Sequence, residues 1–188
     1  MMLTFLLPEI HIDDFDKSNL ECLKVYDRDE KSSKNQLEKL TKFHKNSNLC
    51  YPGYVNLEAY RLPSVVTTPI LRQLPKSILD EELPDISYIK FQKKEIPDMF
   101  LPHVDFGRRA AINIFLSKKT NLVVTHYKAD NSLEKLSEIE SLQVIGNVTL
   151  AMDVRTIHSA ILLDKSCDDF ISISFRKIRF LDILKFYE

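Results

Sequence analysis

Two His-x-Asp motifs are the residues in this sequence best suited to hold a metal ion: His11-Ile12-Asp13 and His103-Val104-Asp105. The chain has five histidines and 27 acidic residues, so this spacing arises easily by chance. The surroundings separate the two motifs. The second is followed by a turn at Phe106-Gly107 and a β-favouring apolar run, and on an extended segment residues i and i+2 point to the same side. We therefore expect the second motif to hold one ion and the first to lie on the surface.

A third ligand for such an ion must come from another part of the chain, and His158 is the candidate. It lies 53 positions after Asp105, which leaves room for several strands that would bring the two segments together. Two histidines and one carboxylate on one face of an octahedron leave three coordination positions open, as in non-haem Fe(II) oxygenases. Zinc accepts the same ligands. The residues alone leave alternatives open, because His158 has the neighbours of a core histidine and His126 is a competing ligand on a predicted strand.

The elements that must position these residues differ between the two halves of the chain. Up to residue 85 the spacing is mixed, and residues 18–26, 33–44 and 68–74 have helix-like patterns. From Ile86 onward, short β-favouring segments follow at residues 87–93, 109–116, 122–127, 148–154, 159–163 and 170–175. Residues 131–145 fit either a helix or a strand that begins near residue 142. Short strands at regular intervals predict a β-sandwich or barrel rather than βαβ units.

Composition limits the classes of function. The 188 residues carry a formal net charge of −1, so there is no strong signal for a nucleic-acid partner. Only three glycines are present, which excludes glycine-rich phosphate loops. Three distant cysteines predict no disulfide framework, and no apolar stretch reaches the roughly 18 residues of a membrane helix. Residues 1–7 lack the basic leader and cleavage site of a signal peptide. We expect a cytoplasmic protein with no membrane association.

Several segments resemble motifs of the Fe(II)- and 2-oxoglutarate-dependent oxygenases, most closely the prolyl-hydroxylase-like and small phage or bacterial members. Residues 101–108 (LPHVDFGR) and 110–116 (AAINIFL) are similar to the proximal metal-binding motif and the strand after it. Residues 147–153 (NVTLAMD) and 157–160 (IHSA) resemble the strand pair that carries the distal histidine. Residues 170–176 (FISISFR) resemble the final core strand. The resemblance covers roughly half of the chain, and its specificity lies in the order and spacing of the motifs.

The resemblance implies a mostly β fold with N-terminal helices. Residues 86–180 would form a double-stranded β-helix, that is, a cupin-like jelly roll, and residues 1–85 would support it within one domain covering 1–188. His103, Asp105 and His158 match the catalytic metal ligands by position, with Fe(II) as the metal and 2-oxoglutarate and O₂ as co-substrates. The implied reaction releases succinate and CO₂ and hydroxylates a small-molecule or peptide substrate. The sequence indicates neither that substrate nor the oligomeric state.

One departure from the family pattern concerns the carboxylate of 2-oxoglutarate that lies far from the metal. The family usually binds it with an Arg-x-Ser motif about ten residues after the distal histidine, whereas residues 168–172 here are DDFIS. The serine matches and the arginine does not, and the two aspartates would repel a dianion if they faced it. Because a buried carboxylate is costly without a cationic partner, we expect Arg108 or Arg176 to supply the charge together with Ser172 or Ser174. Lys118 is a third candidate.

Asn113 is a further candidate for the pocket, because it lies inside an apolar strand and a buried amide needs hydrogen-bond partners. The missing arginine also keeps two other hypotheses open. One is a non-catalytic jelly-roll module that binds a metal or another ligand. The other is a cupin-like metalloenzyme that works without 2-oxoglutarate.

Overall fold

The computed structural model describes residues 2–26, 57–91, 99–103, 105, 107–129, 136–163 and 169–187. Within these ranges the strands are β1 (Thr4–Leu7), β2 (Glu21–Tyr26), β3 (Leu57–Arg61), β4 (Asp85–Phe91), β5 (Met99–His103), β6 (Ala110–Phe115), β7 (Asn121–Ala129), β8 (Leu136–Ile145), β9 (Thr149–Asp153), β10 (Ile157–Leu162) and β11 (Asp169–Phe175). The helices in the same ranges are α1 (Ser64–Gln73), α2 (Lys76–Glu81) and α3 (Phe180–Lys185). None of these three helices has the length and apolar character needed to cross a bilayer.

The strands form two antiparallel sheets. The large sheet has the order β1-β9-β6-β11-β4-β3-β2, and the small sheet has the order β5-β10-β7-β8. From β4 onward the chain passes back and forth between the sheets, so that each sheet combines strands from both ends of this segment. That strand order is the eight-stranded jelly roll, or double-stranded β-helix. The chain is a cupin-like jelly roll, and the fold predicted from the sequence is confirmed.

The N-terminal segment widens the large sheet on both sides. β1 pairs with β9 at one edge, while β3 pairs with β4 and then with β2 at the other. The three helices pack on the outer face of the large sheet, where β11 turns Ile171, Ile173 and Phe175 toward them with no exposed surface. The jelly-roll strands are therefore supported by both strands and helices.

A second core fills the space between the sheets. Its buried residues come from both sheets and are Ala111, Phe115, Leu122, Val124, Val144, Leu150, Met152, Val154, Leu162 and Phe170. Alternation along β11 places Phe170 in this inter-sheet core and sends its neighbour Ile171 to the helix side. The large sheet is thus apolar on both faces. The polar residues Asn113, Ser172 and Ser174 are exceptions on its inter-sheet face.

Most strand predictions are confirmed; the errors lie in the first third, at β5, which was not predicted, and at β8, which was left ambiguous. The six segments predicted after residue 85 correspond to β4, β6, β7, β9, β10 and β11, with ends shifted by one or two residues. The helical prediction for residues 18–26 is wrong, because β2 pairs with β3 there. Residues 68–73 are helical within the longer α1, which ends before Leu74, and residues 33–44 lie outside the described residues. The ambiguous segment 131–145 contains a strand, β8.

Candidate metal centre

Three histidines lie on neighbouring strands of the small sheet. His158 on β10 is the Cα partner of His103 at the end of β5 and also of His126 on β7. The side chain of His103 lies outside the described residues. The side chains of His126 and His158 lie on the same face of the small sheet as Val124 and Leu162, which belong to the inter-sheet core. The fold therefore brings the two predicted histidine ligands to adjacent backbone positions and places a third histidine beside them.

The ring of His158 is held in one orientation. Its side chain is buried, with 5 % of the residue exposed, and its Nδ1–H donates to the backbone carbonyl of Thr156 at 2.9 Å. A carbonyl can only accept, so in the neutral ring the lone pair belongs to Nε2. Metal-bound histidines almost always donate their second ring nitrogen to a carbonyl or carboxylate in this way. His158 has the tautomer and the support of a metal ligand.

His126 has the same kind of support from its other nitrogen. It is completely buried, and its Nε2–H donates to the backbone carbonyl of Asp153 at 3.0 Å. Burial lowers the pKa of His126, an effect that the Asp153 carbonyl and the negative charges of Glu140 and Asp153 oppose only in part. The ring is therefore neutral near pH 7, and its Nδ1 is a buried acceptor with no hydrogen-bond partner among the described residues. The ring centroids of His126 and His158 are 5.8 Å apart.

The turn between β9 and β10 orients the whole group. Its carbonyls at Asp153 and Thr156 hold the two histidine rings, and the carbonyl of Val154 accepts the backbone N–H of Asp105 at 2.9 Å. The Asp153 carboxylate shapes this turn by accepting from the N–H of Arg155 at 2.9 Å and from the hydroxyl of Thr156 at 2.8 Å. Sequence reasoning missed this role of Asp153. An aspartate followed three residues later by a threonine, just before the distal histidine, is the signal that was present.

Asp105 is paired with Arg108. Its Oδ2 accepts from the Arg108 guanidinium at 2.6 Å, and 14 % of the aspartate side chain is exposed against 35 % for the arginine. Gly107, just before Arg108, has a φ of +81°, which is costly for any residue with a Cβ. Among the described side chains, no three His, Cys, Asp or Glu are arranged to hold a metal. The complete triad is not among these side chains, since it includes that of His103.

Arg108 also joins the predicted 2-oxoglutarate residues. Its guanidinium donates to the hydroxyl of Ser174 at 2.9 Å and to that of Ser172 at 3.4 Å. Both serines lie on β11 and face the inter-sheet side, as Phe170 does, because residues two positions apart on a strand share a face. The structure thus brings one cation and two hydroxyls together beside Asp105.

The two other predicted cations are not part of this group. β11 ends at Phe175, and Arg176 just beyond it has a 69 % exposed side chain that donates two hydrogen bonds to Asp85, at 2.7 and 3.1 Å. Strand alternation was expected to continue to Arg176 and place it with Ser172 and Ser174, but it stops one residue earlier. Lys118 is exposed in the turn that follows β6.

The departure from the family pattern has a structural counterpart. Phe170, two residues before Ser172, is 8 % exposed and packs on Phe115 with ring centroids 5.5 Å apart. The position where the resembling oxygenases carry arginine is therefore apolar. Asp169 does not approach the pocket, because it faces the helix side and accepts from Lys17 Nζ and from the Tyr88 hydroxyl, both at 2.6 Å. The expected repulsion of a dianion by Asp169 is absent for this reason, whereas Asp168 lies outside the described residues.

Asn113 lies on β6 in the inter-sheet space, opposite Ser172. Its Nδ2 donates to the sulfur of Met152 at 3.1 Å, and its Oδ1 is buried with no hydrogen-bond partner in the part of the chain that the structure describes. A buried acceptor without a partner is rare in native proteins. Asn113 can therefore accept from a ligand that enters this space.

The first His-x-Asp motif is a surface feature. His11 and Asp13 are 79 % and 85 % exposed and form an ion-pair contact of 3.3 Å with each other. They line a cavity of about 240 Å³ between the N-terminal segment and the β8–β9 connection, remote in the chain from the three aligned histidines. The exposed positions agree with the expectation that this motif lies on the surface.

The donor set fits a divalent metal of the zinc or iron type. Zinc and iron both bind imidazole nitrogens, and both accept a ligand set that also contains one carboxylate. Two of the histidines have the outer hydrogen bonds that metal ligands require. The fit to 2-oxoglutarate is partial, because Arg108, the cation nearest to Ser172 and Ser174 among the described residues, already pairs with Asp105.

Comparison with known proteins returned distant structures. No family model and no curated protein sequence matches the chain. Two structures of the Drosophila melanogaster CENP-C cupin domain match with 9 % and 10 % identity and TM-scores of 0.35 and 0.36. They cover 69 % and 78 % of this chain and 79 % and 99 % of theirs. Drosophila melanogaster CENP-C bound to CAL1 matches with 8 % identity and a TM-score of 0.36, covering 77 % of this chain and 98 % of that one. We assign the fold from the strand order and the site from its own contacts.

Proposed function

We propose that the chain binds one divalent metal through His103, Asp105 and His158 and acts as an Fe(II)- and 2-oxoglutarate-dependent oxygenase on a small-molecule or peptide substrate. The observation that carries the proposal is the pairing of His103 with His158 across neighbouring strands, with Asp105 fixed to the adjacent turn. This arrangement supports the proposal because it brings the backbone positions of the three residues close to one another. When bound, Fe(II) with 2-oxoglutarate supplies O₂ activation coupled to oxidative decarboxylation, which yields succinate and CO₂.

The residues of the chain hold and orient the reactants. Thr156 fixes the His158 ring so that Nε2 can bind the metal. Arg108 offsets the charge of Asp105, which is mostly buried. The inter-sheet core, with Phe115 and Phe170 on the large sheet, would give the metal an apolar boundary on that side.

Arg108 is the cation that supports 2-oxoglutarate binding. The hydroxyls of Ser172 and Ser174 both lie within hydrogen-bond distance of its guanidinium. Together they can donate several hydrogen bonds to a carboxylate that approaches from the inter-sheet side. A guanidinium has five N–H donors, so Arg108 can keep Asp105 and still donate to a second carboxylate.

A second candidate is a metal-binding module that does not use 2-oxoglutarate. The specific observation in its favour is Phe170, an apolar residue at the position where the resembling oxygenases carry their carboxylate-binding arginine. In this case the only role of Arg108 is to neutralise Asp105.

The two candidates are separated by turnover of 2-oxoglutarate. Purified chain loaded with Fe(II) under anaerobic conditions is mixed with 2-oxoglutarate, ascorbate and O₂, and succinate is measured with O₂ consumption. Succinate formed in stoichiometric excess over protein, with matching O₂ consumption, supports the proposal. The matched controls are His158→Ala, which should form none, and His11→Ala, which should equal wild type. Metal binding without 2-oxoglutarate binding or succinate would establish the binding module instead.

A further inference from the structure

Two turns meet at the end of the jelly roll where the proposed metal ligands lie. Asp105 belongs to the turn between β5 and β6, and its N–H donates to the carbonyl of Val154, in the turn between β9 and β10, at 2.9 Å. The first turn ends with Arg108 and Arg109, and Arg155 follows Val154 in the second. We call the described residues of these turns, 105, 107–109 and 154–156, the arginine rim. It brings three guanidinium groups to one end of the site.

The acidic groups next to the arginine rim are already engaged within the chain. Asp105 accepts from the guanidinium of Arg108 at 2.6 Å, and Asp153 accepts from the backbone N–H of Arg155 at 2.9 Å. Arg109 and Arg155 are both exposed, and neither side chain forms an ion pair with a residue that the structure describes. Two of the three guanidinium groups are therefore available to a ligand from outside the chain.

The excess of positive charge is local to the arginine rim. Farther around this end of the jelly roll, the described charged residues occur as opposite neighbours: Arg176 with Asp85, Lys177 with Glu82, and Lys128 with Glu138 on the paired strands β7 and β8. The rim together with Asp153 carries three positive and two negative charges. A divalent metal at the proposed site would add two positive charges beside it. The potential at this end therefore favours an anionic ligand.

We propose that the substrate of this site is an acidic peptide segment, which Arg109 and Arg155 bind through its carboxylates. This inference rests on the proposed function and names the charge of its substrate. A guanidinium matches a carboxylate with two parallel N–H donors, and a positive entrance raises the association rate of an anion. A nucleic acid is a poorer match, because it requires a basic stripe and aromatic stacking platforms. The net charge of the chain is −1, and the described rim residues include no aromatic side chain.

The depth of the site favours an extended ligand. His158, a proposed metal ligand, is buried with 5 % of the residue exposed, whereas Arg109 and Arg155 are exposed. A substrate that contacts both must place one group inside the inter-sheet space and its carboxylates outside it. A peptide meets this requirement, because acidic side chains on either side of the reacting residue extend from the same backbone.

The test is the binding of a fluorescein-labelled, glutamate-rich peptide to protein loaded with Mn(II) and 2-oxoglutarate, followed by fluorescence anisotropy. A glutamine-rich peptide of the same length is the neutral control. Wild type should bind the acidic peptide, and its affinity should fall as salt is added, because salt screens exposed charges. The double variant Arg109→Gln/Arg155→Gln should bind it roughly 2- to 30-fold more weakly. The matched control is Arg72→Gln/Lys76→Gln, which removes the same charge from exposed positions on α1 and α2 and should bind as wild type does.

Several results would overturn the inference. Equal affinity of wild type and the double rim variant, or equal affinity for the acidic and neutral peptides, would show that the arginine rim does not select an acidic ligand. Tighter binding of a single-stranded oligonucleotide would assign the rim to a nucleic acid, and displacement of the peptide by an equal concentration of glutarate would assign it to a small anion. A matching loss of 2-oxoglutarate affinity in the double variant would assign the two arginines to the co-substrate.

The proposed function fails by a different measurement. Succinate formation tests the oxygenase, whereas peptide binding requires no turnover. Peptide binding that depends on the arginine rim, without succinate, would contradict the oxygenase and leave a module that binds acidic peptides. Succinate formation without peptide binding would keep the oxygenase and reject the acidic peptide as its substrate.

Discussion

Replacement of Arg108 by methionine should separate 2-oxoglutarate binding from metal binding. Methionine keeps much of the apolar length of the side chain and removes all donors to Asp105, Ser172 and Ser174. A hydrogen bond to a charged group is worth about 1.5–3 kcal/mol. Loss of the guanidinium–carboxylate contact should therefore weaken 2-oxoglutarate binding by roughly 10- to 150-fold. Ser174→Ala removes only a neutral hydroxyl worth about 0.5–1.5 kcal/mol, which corresponds to about 2- to 12-fold.

The assay is anaerobic calorimetric titration of 2-oxoglutarate into Mn(II)-saturated protein, so that differences in metal affinity do not enter. Arg176→Met is the matched control, because Arg176 is exposed and pairs with Asp85 outside the pocket. We expect it to bind 2-oxoglutarate as wild type does. Equal affinity in wild type and Arg108→Met would refute the role of Arg108. A large loss in Arg176→Met would show that the exposed arginine enters the pocket when the ligand binds.

Three further predictions concern the scaffold around the site. Asp153→Ala removes the two side-chain hydrogen bonds that shape the β9–β10 turn, and we expect metal affinity to fall by about 10- to 100-fold while circular dichroism is unchanged. In a double-mutant cycle measured by urea unfolding, Lys17→Met and Asp169→Asn should show a coupling of roughly 1 kcal/mol. The coupling is modest because, in their 2.6 Å contact, Asp169 is largely buried but Lys17 is not. Independent effects of the two substitutions would contradict this pairing. Burial alone would raise the pKa of Glu82, but the N–H groups of residues 176–178 and the charge of Lys177 lower it below 4.5. The stabilising contribution of this carboxylate is therefore complete above pH 4.5 and is lost as the pH falls further. Glu82→Gln should therefore flatten the acid limb of the stability–pH profile.

The jelly roll could be predicted from the sequence because its core strands carry local signals. Segments such as residues 109–116 and 170–175 are β-favouring along their whole length, and they form the centre of the large sheet. The segment at 18–26 misled because its apolar spacing is compatible with a helix. Pairing with β3 decides its conformation, and a partner strand 30 or more residues away is invisible to a local pattern.

Residues 131–145 were ambiguous for a different physical reason. β8 has a register shift at residue 139, since Glu140 is opposite His126 and Glu138 is opposite Tyr127. The extra residue breaks the two-residue alternation, and Ile139 is left 42 % exposed. An apolar residue outside the alternation imitates helical spacing.

The candidate metal site stays a prediction: motif spacing suggested its ligands, but the sequence could not give the strand register that aligns their backbones. The juxtaposition of His103 and His158 agrees with the predicted ligand set. The choice between Arg108 and Arg176 depended on where β11 ends, which no residue type in 170–176 reveals. The carbonyls that orient His126 and His158 carry no side-chain signal at all, because any residue in the turn could supply them.

The most direct test of the proposed metal centre is the metal content of the chain with and without His158. Protein is loaded with Fe(II) anaerobically or with Zn(II), desalted, and analysed by inductively coupled plasma mass spectrometry together with His158→Ala and His11→Ala. We expect one metal per chain in wild type and in His11→Ala, and loss of tightly bound metal in His158→Ala. The affinity of wild type should also fall as the pH drops below about 6.5, because histidine ligands must be deprotonated. Unchanged metal content in His158→Ala, or loss of metal in His11→Ala alone, would contradict the proposed metal centre.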